Sequence, residues 1–211
     1  MSLASVTIEV NDLEAARRFY TSFGVADRVN LRASEAASTG FRGFTLALTV
    51  SGPATVDGFV ADAVAAGATV LKPAAKSLWG YGGVVQAPDG TIWKIATSAK
   101  KDSGPATREI DDFVLLLGVE DVKATKEFYV GRGLAVGKSF GGKYVEFAAD
   151  GGDAAKLALY KYRALAKEAG VDAEGEGSHR LVLGGSAAAF TDPDGFVWEA
   201  APSLAGAVGG V

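Results

Sequence analysis

One short pattern occurs twice and limits what this chain can fold into: Ala-Pro-Asp-Gly-Thr-Ile-Trp-Lys at 87–94 and Asp-Pro-Asp-Gly-Phe-Val-Trp-Glu at 192–199. Each is preceded, about seventy residues upstream, by Val-x-Asp and a run ending in Phe-Tyr: Val10, Asp12, Phe19, Tyr20 in one case and Val119, Asp121, Phe128, Tyr129 in the other. Asp12 and Asp121 are 109 residues apart, as are Tyr20 and Tyr129, whereas Asp89 and Asp194 are 105 apart. Order and spacing together identify an internal duplication with a small length change inside the second copy. The expected organisation is therefore two domains at 4–97 and 109–202, joined by a polar linker at 98–108 and followed by a flexible Ala/Gly tail at 203–211.

Within each copy the residues punctuate themselves. Val6, Ile8 and Val10 alternate with polar neighbours, the period of a strand with one wet face. Asn11 or Asp12 offers a cap oxygen for a helix at 13–23 with Ala16, Phe19, Tyr20 and Phe23 on one side, and Gly24 ends it. A second helix is expected at 55–66, with strands at 44–50, 69–72, 83–86 and 91–96. The second copy reads as strand 113–119, helix 121–130, then strands at 134–140, 144–148, 156–160, 180–183, 187–191 and 196–200. Only a short helix fits at 163–170. The run at 113–119 is almost continuously apolar, so both of its faces are expected to be covered. In the repeated turn, proline presets φ, aspartate can bond its own backbone, and Gly90 and Gly195 tolerate positive φ. The strand that follows alternates, so Trp93 and Trp198 should face one side and Lys94 and Glu199 the other.

Composition narrows function. A net charge of -4 provides no basic stripe for nucleic acid. The absence of cysteine excludes disulfides, thiolate metal sites and cysteine nucleophiles, and suits a reducing cytoplasm. No uncharged run is long enough to span a bilayer and no export signal is evident, so a cytoplasmic protein without membrane partners is expected. The single histidine, His179, has no identifiable nucleophile partner, and Gly141-Gly142 and Gly184-Gly185 lack the context of a phosphate cradle.

The doubled opening and turn resemble the glyoxalase / bleomycin-resistance / extradiol-dioxygenase superfamily, the vicinal oxygen chelate fold, over roughly 5–96 and 110–200. The resemblance implies an α+β fold: tandem βαβββ units whose curled mixed sheets form cup-like pockets for a small molecule. It further implies, in metal-dependent members, His and Glu side chains on inward strand faces around one divalent ion with open coordination positions. At the corresponding positions this chain has Ser5, Val114, Thr45 and Lys94, and keeps only Glu199. No cofactor is therefore expected. A divalent metal held by Glu199 and His179, in a lyase, isomerase or dioxygenase, is the alternative.

What the resemblance leaves is the cup. Its candidate lining is Phe41, Arg42, Trp79, Tyr81 and Lys94 in the first copy, and Tyr160, Arg180 and Glu199 in the second. Trp79 and Tyr81 lie on a glycine-flanked loop that could stack on a planar ligand, and Arg42 can take a carboxylate or phosphate bidentately. The expected function is binding of a small, aromatic or acidic organic molecule without a complete metal site. A non-catalytic scaffold or homodimer is a further alternative, because βαβββ units in this family often complete sheets between chains.

Overall fold

The computed structural model describes residues 1–149, 155–186 and 188–200. The chain opens with strand β1 (Ser5–Val10), helix α1 (Leu13–Phe23), β2 (Asn30–Ala33) and β3 (Ser38–Gly40). It continues through β4 (Phe44–Thr49), α2 (Pro53–Ala65), β5 (Thr69–Ser77), β6 (Gly80–Gln86) and β7 (Ile92–Thr97). Next come β8 (Asp112–Val119), α3 (Val122–Gly131), β9 (Val136–Phe140), β10 (Tyr144–Phe147), β11 (Lys156–Lys161) and α4 (Tyr162–Ala169). It closes with β12 (Gly175–Gly177), β13 (Leu181–Ser186), β14 (Phe190–Thr191) and β15 (Val197–Ala200). The expected tail at 203–211 lies outside the described residues.

Local chemistry sets the ends of these elements, deciding for Asp12 over Asn11 and moving Asp121 from inside its expected helix to the cap before it. The Asp12 carboxylate accepts from the Ala15 amide and Asp121 from the Lys123 and Ala124 amides, so both repeated aspartates are N-caps. Gly24 stops α1 in the left-handed region at φ 83°. The sequence reading missed the small ribbon of β3 with β12, whose Ser/Thr/Gly and Gly-Glu-Gly composition carries no strand signal.

The sheets do not follow the halves expected at 4–97 and 109–202. One has eight strands in the order β5-β6-β7-β4-β8-β11-β10-β9, the other five in the order β14-β15-β13-β1-β2. The larger is two complete βαβββ units, β4-α2-β5-β6-β7 and β8-α3-β9-β10-β11, joined where β4 runs antiparallel to β8. The smaller combines the beginning of the chain with its end, β1 lying antiparallel to β13. Residues 98–108 thus connect two units of the same sheet. They are tied down: Asp102 Oδ1 accepts from the Ala54 amide at 2.7 Å, where the N-cap Gly52 offers no side chain to α2, and Thr55 Oγ1 accepts from Thr107 N at 3.0 Å. The physical reason for the repartition is burial. The apolar β8 finds its hydrogen-bonding partner in β4, and its Leu115 and Leu117 join Leu46, Leu48 and Trp93 in one core.

Two tethers lock the sheets together, and both use the repeated motif. Tyr20, on α1 beside the five-stranded sheet, donates to Asp89 Oδ2 in the β6–β7 turn of the eight-stranded sheet at 2.7 Å. Tyr129, on α3 of the larger sheet, donates to Asp192 Oδ2 in the β14–β15 turn of the smaller one, also at 2.7 Å. Burial and the neighbouring aspartate push both phenols well above their ordinary value. These tyrosines are neutral hydrogen-bond donors.

Candidate functional site

Strand alternation gives the eight-stranded sheet two unlike faces, one carrying Trp93 and the other Lys94. Alternation places Trp93 and Trp198 in the core, fully buried, and turns Lys94 and Glu199 to the opposite faces of their strands. Across the larger sheet, Lys94, Ala47, Val114 and Lys156 fall in one register row. Helix α4 lies over this face: Leu165, Ala166 and Ala169 are buried with Phe41, Val84 and Ile92 in a second apolar cluster, flanked by Leu116, Tyr160 and Tyr162. Both faces of β8 are therefore covered. Glu168 of α4 forms an ion pair with Lys94, and Lys72 Nζ donates to the carbonyls of Lys167 and Glu168 at 2.8 and 2.6 Å, where the helix dipole favours a cation. Burial, then the Glu168 charge, raises the Tyr160 phenol; burial and Glu146 raise Tyr144.

The five-stranded sheet has a different inner face. Ser5, Gly184 and Glu199 share a register row. Glu199 is held by Arg32 through two 2.7 Å bonds, and Arg32 also lies 3.9 Å from Glu9. The Arg32 hydrogen bond is the main reason the Glu199 carboxyl sits below its ordinary value.

His179 is not beside Glu199. Its Nδ1 lies 2.6 Å from the Arg42 carbonyl and its Nε2 3.1 Å from the Asp194 carbonyl, with the ring stacked on Phe196. Among the described residues there is no group of three or more His, Cys, Asp or Glu that could hold a metal ion. The donor set of the larger cup does not fit one either, because Ala47 and Val114 have no ligating atom and the two lysines flanking them repel a cation.

The remaining candidates separate. Phe41 is a core residue packed on Tyr162. Trp79 is 85% exposed at the tip of the β5–β6 hairpin, and Tyr81 donates to Asp57 of α2 at 2.8 Å, so this loop reaches away from the α4-covered face. Arg42 and Arg180 converge instead. Arg42 Nη2 donates to the Asp89 carbonyl at 2.6 Å, and Arg180 donates to the Ala36 carbonyl and to Asn11 Oδ1. Sequence reasoning missed Glu168 and Arg32, the partners that decide the state of Lys94 and Glu199. The only signal for Glu168 was its place in the short helix at 163–170.

Among solved structures, a dioxygenase described as putative from Bacillus subtilis superposes with a TM-score of 0.60 at 10% identity, covering 95% of this chain and 84% of its own. A glyoxalase I variant from Zea mays gives a TM-score of 0.57 at 14% identity, covering 94% of this chain and 91% of its own. The chain has the glyoxalase fold. At these identities the likeness extends to architecture, the vicinal oxygen chelate arrangement of βαβββ units, and not to residue roles. No protein-family model matches the sequence, and no curated protein matches it. Among the described residues no helix is long and apolar enough to cross a membrane.

Proposed function

We propose that this glyoxalase-fold protein binds a small organic molecule and does so without metal-assisted chemistry in its cups. The observation that carries the reading is the Lys94–Glu168 ion pair beneath α4, on the sheet face where a metal-dependent relative would gather ligands. An ammonium paired to a carboxylate there repels a divalent ion and offers no open coordination position. Glu199, the one retained carboxylate, is occupied by Arg32. Sequestration of a small molecule needs affinity alone, which a pocket supplies through shape and a few fixed polar groups. A cytoplasmic location belongs to the same reading, in keeping with the cysteine-free composition.

Elemental analysis of protein purified without chelator or metal-affinity resin tests the metal half of the proposal. The expected result is substoichiometric Mn, Fe, Ni and Zn; one equivalent of any of them per chain, lost in Glu199→Ala, would favour the lyase or dioxygenase alternative. A thermal-shift screen over aromatic and acidic metabolites tests the binding half, with a rise in midpoint that grows with ligand concentration as the expected outcome.

A further inference from the structure

We infer that the cavity between α1, β3 and the Pro88-Asp89-Gly90 turn is a binding site for a small organic carboxylate with a compact apolar body, received by Arg42 and Arg180. The inference rests on the binding reading above and gives it a place outside both cups.

The cavity has a volume of about 260 Å³ and two unlike walls. Val10, Ala15, Ala16, Phe19 and Pro88 make one apolar; Asn11, Asp12, Ser38, Arg42, Asp89 and Arg180 make the other polar. The polar wall has a surplus of donors. Arg42 Nη1 and Ser38 Oγ are buried without a hydrogen-bond partner, and the Arg42 side chain is anchored by its single bond to the Asp89 carbonyl. Three oxygens of the two carboxylates already accept: Asp12 Oδ1 from the Ala15 amide, Asp89 Oδ1 from the Thr91 amide, and Asp89 Oδ2 from the Tyr20 hydroxyl. Leaving a guanidinium nitrogen buried and unpaired costs more than a neutral orphan, since desolvation of a charged group is larger. Burial pushes the Arg42 guanidinium below its ordinary value; the Asp89 charge opposes the shift, and the weaker repulsion of Arg180 adds to it.

The backbone around the cavity is shaped for this convergence. Arg180 is the one non-glycine with positive φ among the described residues, at 51°, and it is nearly buried. A residue held in that region is strained, and such strain gathers at functional positions. Gly90 has φ 91°, and a Cβ there would lie 2.8 Å from Arg42 Nη2, so the turn glycine also makes room for the guanidinium. A carboxylate between the two arginines supplies acceptors for the Arg42 fork and the Ser38 hydroxyl. Phe19 and the alanines of α1 then take the apolar body.

The probe is benzoate, titrated into the full chain and followed by amide chemical shifts, with benzamide as the uncharged analogue and sulfate as an inorganic anion. Expected are saturable shifts at Asn11, Ser38 and Gly90 for benzoate, none for benzamide, and weaker ones for sulfate. Arg42→Gln should weaken benzoate binding about tenfold or more, the loss of one charged bidentate contact. Ala15→Leu keeps the helix and every charge while filling the cavity, so it should abolish binding in a protein that folds normally. Lys143→Met, in the exposed β9–β10 turn, should leave binding unchanged, and Lys94→Met reports on the α4-covered face. No shift with benzoate, equal binding of benzamide or sulfate, or full affinity in Ala15→Leu overturns the site. If binding is lost only in Lys94→Met, the ligand is in the cup: the site assignment fails and small-molecule binding stands. If benzoate is silent while the metabolite screen yields a ligand, the site again fails alone, and if both are silent the binding reading fails with it.

Discussion

The two Pro-Asp-Gly turns share a sequence and hold the molecule together differently. At 87–90 the aspartate Asp89 takes the tyrosine of α1, and its carbonyl takes Arg42. At 192–195 the tyrosine of α3 goes two residues upstream to Asp192, which leaves Asp194 to accept from Thr125 Oγ1 at 2.7 Å and from the Glu120 amide at 2.8 Å, while its carbonyl faces His179. Arg42 and His179 are themselves joined, the Arg42 carbonyl lying 2.6 Å from His179 Nδ1. The difference traces to one substitution between the copies: Ala87 in the first turn is Asp192 in the second. A second carboxylate lets the second turn bind its own loop and α3 at once. The first turn, with one carboxylate, keeps a neighbouring arginine short of partners, and the cavity is beside that turn.

The comparison is broken hardest at the tryptophans that follow the turns. Trp93→Ala and Trp198→Ala should each cost about 3–5 kcal/mol by denaturant midpoint, as for other fully buried aromatics. Trp198 should be the costlier, because its Nε1 donates to Tyr129 Oη at 3.0 Å whereas Trp93 Nε1 has no partner. Next come the tethers. Tyr129→Phe strands Trp198 Nε1 and leaves Asp192 only the amides of its own loop, and should cost about 2–3 kcal/mol, against about 1 kcal/mol for Tyr20→Phe, where Asp89 keeps the Thr91 amide and no buried indole donor is orphaned. Equal losses would mean that the extra carboxylate does no mechanical work.

The sheets supply the smaller tests. Lys94 and Glu168 are each about one-third exposed, so Lys94→Met should change stability by about 1 kcal/mol or less; a loss of several would make the ion pair, rather than the apolar face of α4, the anchor of that helix. Glu199 is read by pH. Its native carboxyl lies below the unfolded value, so the Arg32 pair contributes stability above the ordinary glutamate range and loses it as pH falls through the native value. Glu199→Gln should accordingly flatten the acid side of the stability profile and leave its neutral-to-basic shape alone. A profile unchanged from wild type would show that the pair contributes nothing to folding.

Much of this was legible in the residues. The turn chemistry, an N-cap at Asn11 or Asp12, α1 from Leu13 to Phe23, and the opposition of Trp93 to Lys94 follow from φ preferences and strand alternation, which act over a few neighbours. The candidate site was less legible. Arg42 was singled out for its fork, and Arg180 with it, yet nothing local tells that residues 138 apart converge on one cavity. Trp79 looked like a ligand platform because it is aromatic and glycine-flanked, and the structure extends that hairpin into solvent.

By itself, then, the sequence determined the main helices and strands (though not the β3–β12 ribbon), the faces they bury and the existence of a duplication. Tertiary structure decided that β4 pairs with β8 and β1 with β13, that 98–108 spans a sheet, and that α4 covers the cup. The reason is range: a backbone's own torsions are set within a turn or two, while a strand edge or an apolar helix face is satisfied by whichever distant surface buries it best.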